Sequence, residues 1–189
     1  AKNIATLKNY IYVFQENGIS RISRAETDNY SVAKIMQTGE TIYGETVKTV
    51  GSDVWFFTSG GLYRFDGNRA EKIAYCSGAE IKGSRSARIE QFGGKIFAAA
   101  RISFGTDADD GGEENNALIV ADAVSGVSAV YCGVSVRSFC AMKDRGELML
   151  SFYDDTVAFW ENSELFLNEK RTGYYVLEKS VLGFPGRKN

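Results

Sequence analysis

The chain has 189 residues, 44% of them hydrophobic and 24% charged, which is enough to bury one ordinary core and too well mixed for disorder. Lys and Arg number 22 against 24 Asp and Glu, a net charge of −2, so the broad basic surface of a nucleic-acid binder is not expected. There is no histidine, which removes Ser-His-Asp and Cys-His catalysis, the commonest zinc and iron ligation, and the usual near-neutral general base.

The three cysteines, Cys76, Cys132 and Cys140, have no CxxC spacing and are expected to be reduced, buried small hydrophobes. No run of 18 apolar residues suggests a membrane span, and no signal-peptide pattern follows Ala1. The expectation is a chain made in the cytoplasm, trimmed or cut from something longer, with no membrane partner and no cofactor. Twenty Gly, ten Tyr and twelve Phe with a single Pro point to strands joined by tight Gly turns.

In chain order, the first clear unit is "KNYIYVFQENGISRI" (8–22), a short strand, a turn with Gly18 and a returning strand. An offset of 43 lays it over "SDVWFFTSGGLYRF" (52–65), with Ile11 on Val54, Gly18 on Gly61, Ile19 on Leu62, Arg21 on Arg64 and Ile22 on Phe65. A third copy starts at "GGKIFAAARI" (93–102), with Ile96 in the Val54 role. Its returning strand comes late, at "ALIVADA" (117–123), where Ala121-Asp122 echoes Phe65-Asp66. The fourth is "GELMLSFYDDTVAFWEN" (146–162), with Leu148 in the Val54 role and Val157 in the Leu62 role.

Each hairpin is flanked by two more candidate strands. Those before it are "NIATL" (3–7), "ETVKTV" (45–50), "ARIEQF" (87–92) and "SVRSFCAM" (135–142). Those after it are "SVAKIM" (31–36), "AEKIAY" (70–75), "VSAVYC" (127–132) and "GYYVLEK" (173–179). Four strands per roughly 42 residues, repeated four times, predict an all-β, β-propeller-like array of about four four-stranded antiparallel blades, possible also as a segment of a larger propeller. Blade limits fall at about 1–38, 44–78, 86–133 and 134–180, with 181–189 as an exit tail. A β-sandwich is the rival fold. "ENSELFLNEK" (161–170) has some helical character but is too short for more than a loop or single turn.

"DVWFFTSGGLYRFDG" (53–67) resembles the WxxTxxGLxRFDG signature of two-component-regulator and kelch-like propeller repeats, although the regulator-type repeat has a shorter period. The resemblance covers about 15 residues closely and implies a propeller. Blades followed by "GFPGRKN" also resemble tail and virion-associated proteins of bacteriophages and prophages, which implies a structural, virion-associated role.

Candidate site residues gather where the repeat breaks or repeats. The insertion "SFGTDADDGGEENN" (103–116) carries Asp107, Asp109, Asp110, Glu113 and Glu114. Oxygen-rich loops can hold calcium, but an EF-hand counted from Asp107 finds Gly112 in sixth place and Leu118 where the twelfth needs Glu. The plain alternative is a solvated hairpin tip open to a partner. Arg21 and Arg64 share a repeat position, either receiving carboxylates or phosphates or standing outward on half-exposed strands.

Asp154-Asp155 raises two-carboxylate glycoside hydrolysis, but the pair occupies a hairpin corner where turn chemistry alone favours Asp. Most of the aromatic rings are expected between blades. The expectation is a non-catalytic binding or assembly platform, partnered by a protein, a continuation of its own chain or a second copy. The alternatives are a ligand-sensing domain of a larger regulatory protein and a carboxylate-based glycosidase or lyase.

Overall fold

The computed structural model describes residues 1–26, 29–73, 79–104, 112–160, 165–166 and 169–170. Among them there is no helix, and so none long and apolar enough to cross a membrane. The chain is all-β, with four antiparallel sheets of three to five strands arranged in chain order.

The first sheet is β1 (Asn3–Leu7), β2 (Tyr10–Gln15), β3 (Gly18–Glu26) and β4 (Asn29–Gln37). The second is β5 (Ile42–Val50), β6 (Asp53–Thr58), β7 (Gly61–Phe65) and β8 (Ala70–Lys72). The third follows the path β10 (Arg88–Phe92), β11 (Lys95–Phe104), β12 (Ala117–Asp122), β13 (Ser128–Cys132), and β9 (Ala79–Lys82) adds to the far end of β11. The fourth is β14 (Val136–Met142), β15 (Glu147–Phe152) and β16 (Val157–Phe159). The segment read as a loop or single turn contains a two-stranded pair, β17 (Leu165–Phe166) with β18 (Glu169–Lys170). The strand expected at 173–179 lies outside the described residues.

The repeated hairpin has one register in all four sheets. Ile11 pairs with Ile22, Val54 with Phe65 and Ile96 with Ala121, while Ser151 pairs with Val157 as Phe57 pairs with Leu62. Alternation along a strand then assigns faces, because residues paired across an antiparallel ladder share one. Tyr12, Trp55 and Phe97 point toward the next sheet; Val54, Ile96 and Leu148 point toward the preceding one.

Three apolar layers result. Tyr12, Phe14 and Ile19 pack on Val54, Phe56 and Phe65 between the first two sheets. Trp55, Phe57 and Leu62 pack on Ile96, Ala98, Ala100 and Ala121 between the second and third. Phe97, Ala99 and Leu118 pack on Leu148, Leu150 and Phe152 between the third and fourth. The aromatic run Trp55-Phe56-Phe57 is therefore wholly buried, its rings divided between two layers.

One contact recurs. Tyr12 meets Phe65 edge-on at 5.1 Å between ring centres, and two layers on, Phe97 meets Trp160 edge-on at 4.9 Å. Trp160 holds the Phe65 position, since its backbone N–H donates to Leu148 O. In the middle layer the same two positions are Trp55 and Ala121, a large ring over a small residue.

Local chemistry explains the departures from regularity. Between Tyr43 and Lys48, β5 loses register with β6. Thr46 repairs the ladder there: its buried Oγ1 accepts from Phe57 N–H at 2.8 Å and donates to Tyr43 O at 2.6 Å. Gly44 sits where a Cβ would fall 2.7 Å from the backbone of Lys2, so only glycine lets the chain start lie on β5.

The β1–β2 turn is Lys8-Asn9, both left-handed at φ 50° and 68°, and the β10–β11 turn is Gly93-Gly94 at 56° and 74°. Glycine takes this conformation freely, whereas Lys8 pays roughly 1–2 kcal/mol for it. Replacing Lys8-Asn9 by Asn-Gly, the preferred pair for this turn, should therefore raise the midpoint of thermal unfolding by about 2–4 °C per kcal/mol recovered. Differential scanning calorimetry of the double variant checks this; an unchanged or lower midpoint would show the turn is not strained.

Candidate functional site

Arg64 is the most engaged of the residues singled out from the sequence. On β7 it shares a cross-strand row with Trp55 and Glu71. Its Nη1 donates to Val124 O of the third sheet at 2.8 Å, its Nη2 meets Glu71 Oε2 at 3.1 Å and its Nε lies 4.0 Å from Asp53. The guanidinium carbon stands 6.0 Å from the Trp55 ring centre. Arg64 thus fastens the second sheet to the third and lies over the ring in the layer between them. It faces its neighbouring sheet, not open solvent.

A cleft of about 550 Å³ opens beside it, lined among others by Asp53, Arg64, Asp66, Arg69, Glu71 and Gln91. Three carboxylates and two guanidiniums are among its lining groups, with Arg69 and Glu71 exposed. Arg64's donors are already committed to protein partners.

Arg21 holds the equivalent place on β3, paired with Tyr12. Its guanidinium lies 4.7 Å over the Tyr10 ring, a cation–π contact, and its Nε is buried without a hydrogen-bond partner. No hydrogen bond or ion pair joins Arg21 to Arg64, or either one to Glu113 or Glu114.

Asp107, Asp109 and Asp110 lie outside the described residues, while Glu113 and Glu114 are exposed. Among the described residues no group of three or more His, Cys, Asp or Glu side chains is placed to hold a metal. The C-terminal foot of this insertion differs from a solvated tip. Asn116 mimics a strand partner: its Oδ1 accepts from Ile102 N–H at 2.6 Å and its Nδ2 donates to Ile102 O at 2.9 Å. Asn115 is fully buried, and its Nδ2 donates to Ser86 O and Val136 O, tying the loop to the fourth sheet. Ser86 Oγ donates to Glu113 O. The "NN" of the sequence was thus structural, and its only signal was two amides directly before an apolar strand.

Two cysteines correct the expectation of burial. Cys132 ends β13 and Cys140 lies on the outer side of β14, and both are exposed; Cys76 lies outside the described residues. Each sits on an edge strand of its sheet, β13 and β14.

The turn aspartates follow the repeat closely. Asp66 Oδ1 accepts from the N–H groups of Asn68 and Arg69, and Asp122 Oδ1 accepts from those of Val124 and Ser125. These bonds hold both carboxyls below the usual carboxylate range, Arg69 N–H having the largest effect on Asp66 and Ser125 N–H on Asp122. Asp154 is held low chiefly by the Thr156 hydroxyl, with help from its N–H. A glycosidase general acid needs a raised value, and Asp154 is shifted the other way.

No protein-family model matches this chain, and no curated protein matches it either.

Two predictions arise. A carboxylate with a lowered folded pKa adds stability that is present above the unfolded value, near 3.9, and is lost as pH falls through the folded one. Asp66→Asn with Asp122→Asn keeps both oxygen acceptors and removes the charge, so the drop in unfolding midpoint between neutral and strongly acid pH should shrink. An unchanged drop would place the acid sensitivity elsewhere. Arg64→Ala should cost about 1–3 kcal/mol by urea unfolding, since it strips partners from Val124 O and Glu71 and uncovers Trp55. Loss below about 0.5 kcal/mol would show that Arg64 is a surface charge.

Proposed function

We propose that the four sheets are the blades of a propeller-type module that serves as a non-catalytic platform for binding or assembly. The observation that carries this is where the sheets touch. Apart from β7 against β9, their main close approaches involve the first two strands of each sheet: β5 against β1 and β2, β6 against β1, β10 against β5, and β14 against β10 and β11. The last strands, β4, β8, β13 and β16, are half to fully exposed. Convergence on the first strands and spread toward the last supports a reading of the sheets as blades about an axis.

The platform role is supported by what the frame leaves outward: apolar faces on the end sheets and the polar cleft beside Arg64. The cleft also favours the second reading, a ligand-sensing domain, in which a small charged molecule would bridge the second and third blades at Arg69 and Glu71. A structural role in a phage-like particle rests on the resemblance of the sequence alone.

Spin labels distinguish blades from a parallel stack. Flat stacked sheets stay about 10 Å apart throughout. Labels on the outer strands, at Val32 and Glu71, should be at least about 10 Å farther apart than labels on the inner strands, at Thr6 and Lys48, given four strands at about 4.8 Å each. Equal separations would reject the propeller.

A further inference from the structure

The repeat register gives every sheet two rows with fixed destinations. The row facing the next sheet is Ala5–Tyr12–Arg21 in the first, Lys48–Trp55–Arg64 in the second, Glu90–Phe97–Val120 in the third and Cys140–Met149–Phe159 in the fourth. The row facing the preceding sheet is Ile11–Ile22–Val32, then Val54–Phe65–Ala70, then Ile96–Ala121–Ser128, then Leu148 with Trp160. Each next-facing row is covered by the following sheet's preceding-facing row, three times over. Among the described residues one row of each kind remains uncovered.

Both remaining rows are apolar apart from Thr6, which pairs with Ile11. Val54, Ile96 and Leu148 are fully buried, but Ile11 is 40% exposed, and Val32 in its row 70% and Ile4 on the same face 59%. Tyr12, Trp55 and Phe97 are at most 1% exposed, while Phe159, in the row of Met149, is 52% exposed and Val157 on the same face 55%. An array that stops needs polar outer faces on its end units. Here the end units keep Ile, Val, Met and Phe at the positions that form the layers inside.

We propose that these two faces meet each other in a second copy of this chain, the fourth sheet of one copy packing on the first sheet of the other. Ring contact fixes the register: position 12 of one sheet packs on position 65 of the next, as Tyr12 on Phe65 and Phe97 on Trp160. Met149 holds the first position in the fourth sheet and Ile22 the second in the first sheet. Met149 of one copy therefore lies on Ile22 of the other. The contact joins unlike faces, so two of them close a symmetric pair into eight sheets, within the range of known propellers. This assembly rests on the propeller reading, because only blades about an axis bring the ends of two copies round to meet.

The test uses the full chain at about 0.1 mM. Native mass spectrometry is expected to give twice 20.8 kDa. With the native cysteines changed to Ser, Ile22→Cys with Met149→Cys should be joined between chains by a short bis-maleimide able to span the roughly 10 Å between packed sheets. Ile11→Lys, at an exposed position and so compatible with folding, should weaken the pair about 100-fold or more by burying a charge in the contact. A monomer, a longer polymer, no crosslink between chains, or a pair indifferent to Ile11→Lys would each overturn the proposal.

The spin-label separations distinguish the two possible failures. If the outer-strand labels at Val32 and Glu71 stand farther apart than the inner-strand labels at Thr6 and Lys48 while the chain stays monomeric, the blade reading holds and only the assembly is wrong. If the separations are equal, the blade reading falls and the assembly with it.

Discussion

The structure depends on a sheet that is apolar on both faces. β6 carries Val54, Trp55, Phe56 and Phe57 in sequence, and all four are buried. A strand with one wet face would alternate; this one cannot, so its sheet needs a neighbour on either side. The same holds for β11, where Ile96 through Ala100 are all buried. Once two adjacent sheets have this character, the first and fourth sheets become obligatory covers. The order of the molecule follows from that single demand.

How the layers fill is a matter of volume. Rings meet rings between the first and second sheets, where Phe14 packs on Phe56 at 5.3 Å. Between the second and third, Trp55 and Phe57 take the space, and Ala98, Ala100, Ala117 and Ala121 yield it. Bulk is traded across the layer, which keeps packing dense without forcing either backbone aside. Polar groups then work at the margins: Arg64 reaches across to Val124, Lys48 to Glu90 at 2.7 Å, and Asn115 to Val136.

The hairpins were legible in the sequence because their register is carried by side chains that recur at one spacing. Gly61 has its counterpart in Gly18, Phe65 in Ile22 and Ala121, and Asp66 in Asp122, and the ladders pair as that spacing requires. The Asx turns at Asp66 and Asp122 follow from the same correspondence. What the sequence did not disclose was non-periodic. β9 joins β11 beyond the reach of the repeat, and Thr46 substitutes a hydroxyl for lost ladder bonds. Asn115 and Asn116 look like ordinary loop residues until their partners, Ser86, Val136 and Ile102, are known. Cys132 and Cys140 are exposed because each lies on an edge strand, a place in the sheet that local pattern does not encode.

The candidate site shows the same division. Arg21 and Arg64 were found by their shared position, and both lie over aromatic rings, yet only Arg64 acquires a partner in the next sheet. That difference comes from the turn after β12, where Val124 holds the place that Asn68 holds after β7 and offers its carbonyl to Arg64. Equivalent positions in a repeat thus share a direction and differ in what they meet. The rule applies most strongly at the two ends, where Ile11 and Met149 keep the direction of their buried counterparts and meet no sheet of their own chain among the described residues. In this chain the direction persists and the neighbour changes at the outer faces of the first and fourth sheets and at the cleft beside Arg64.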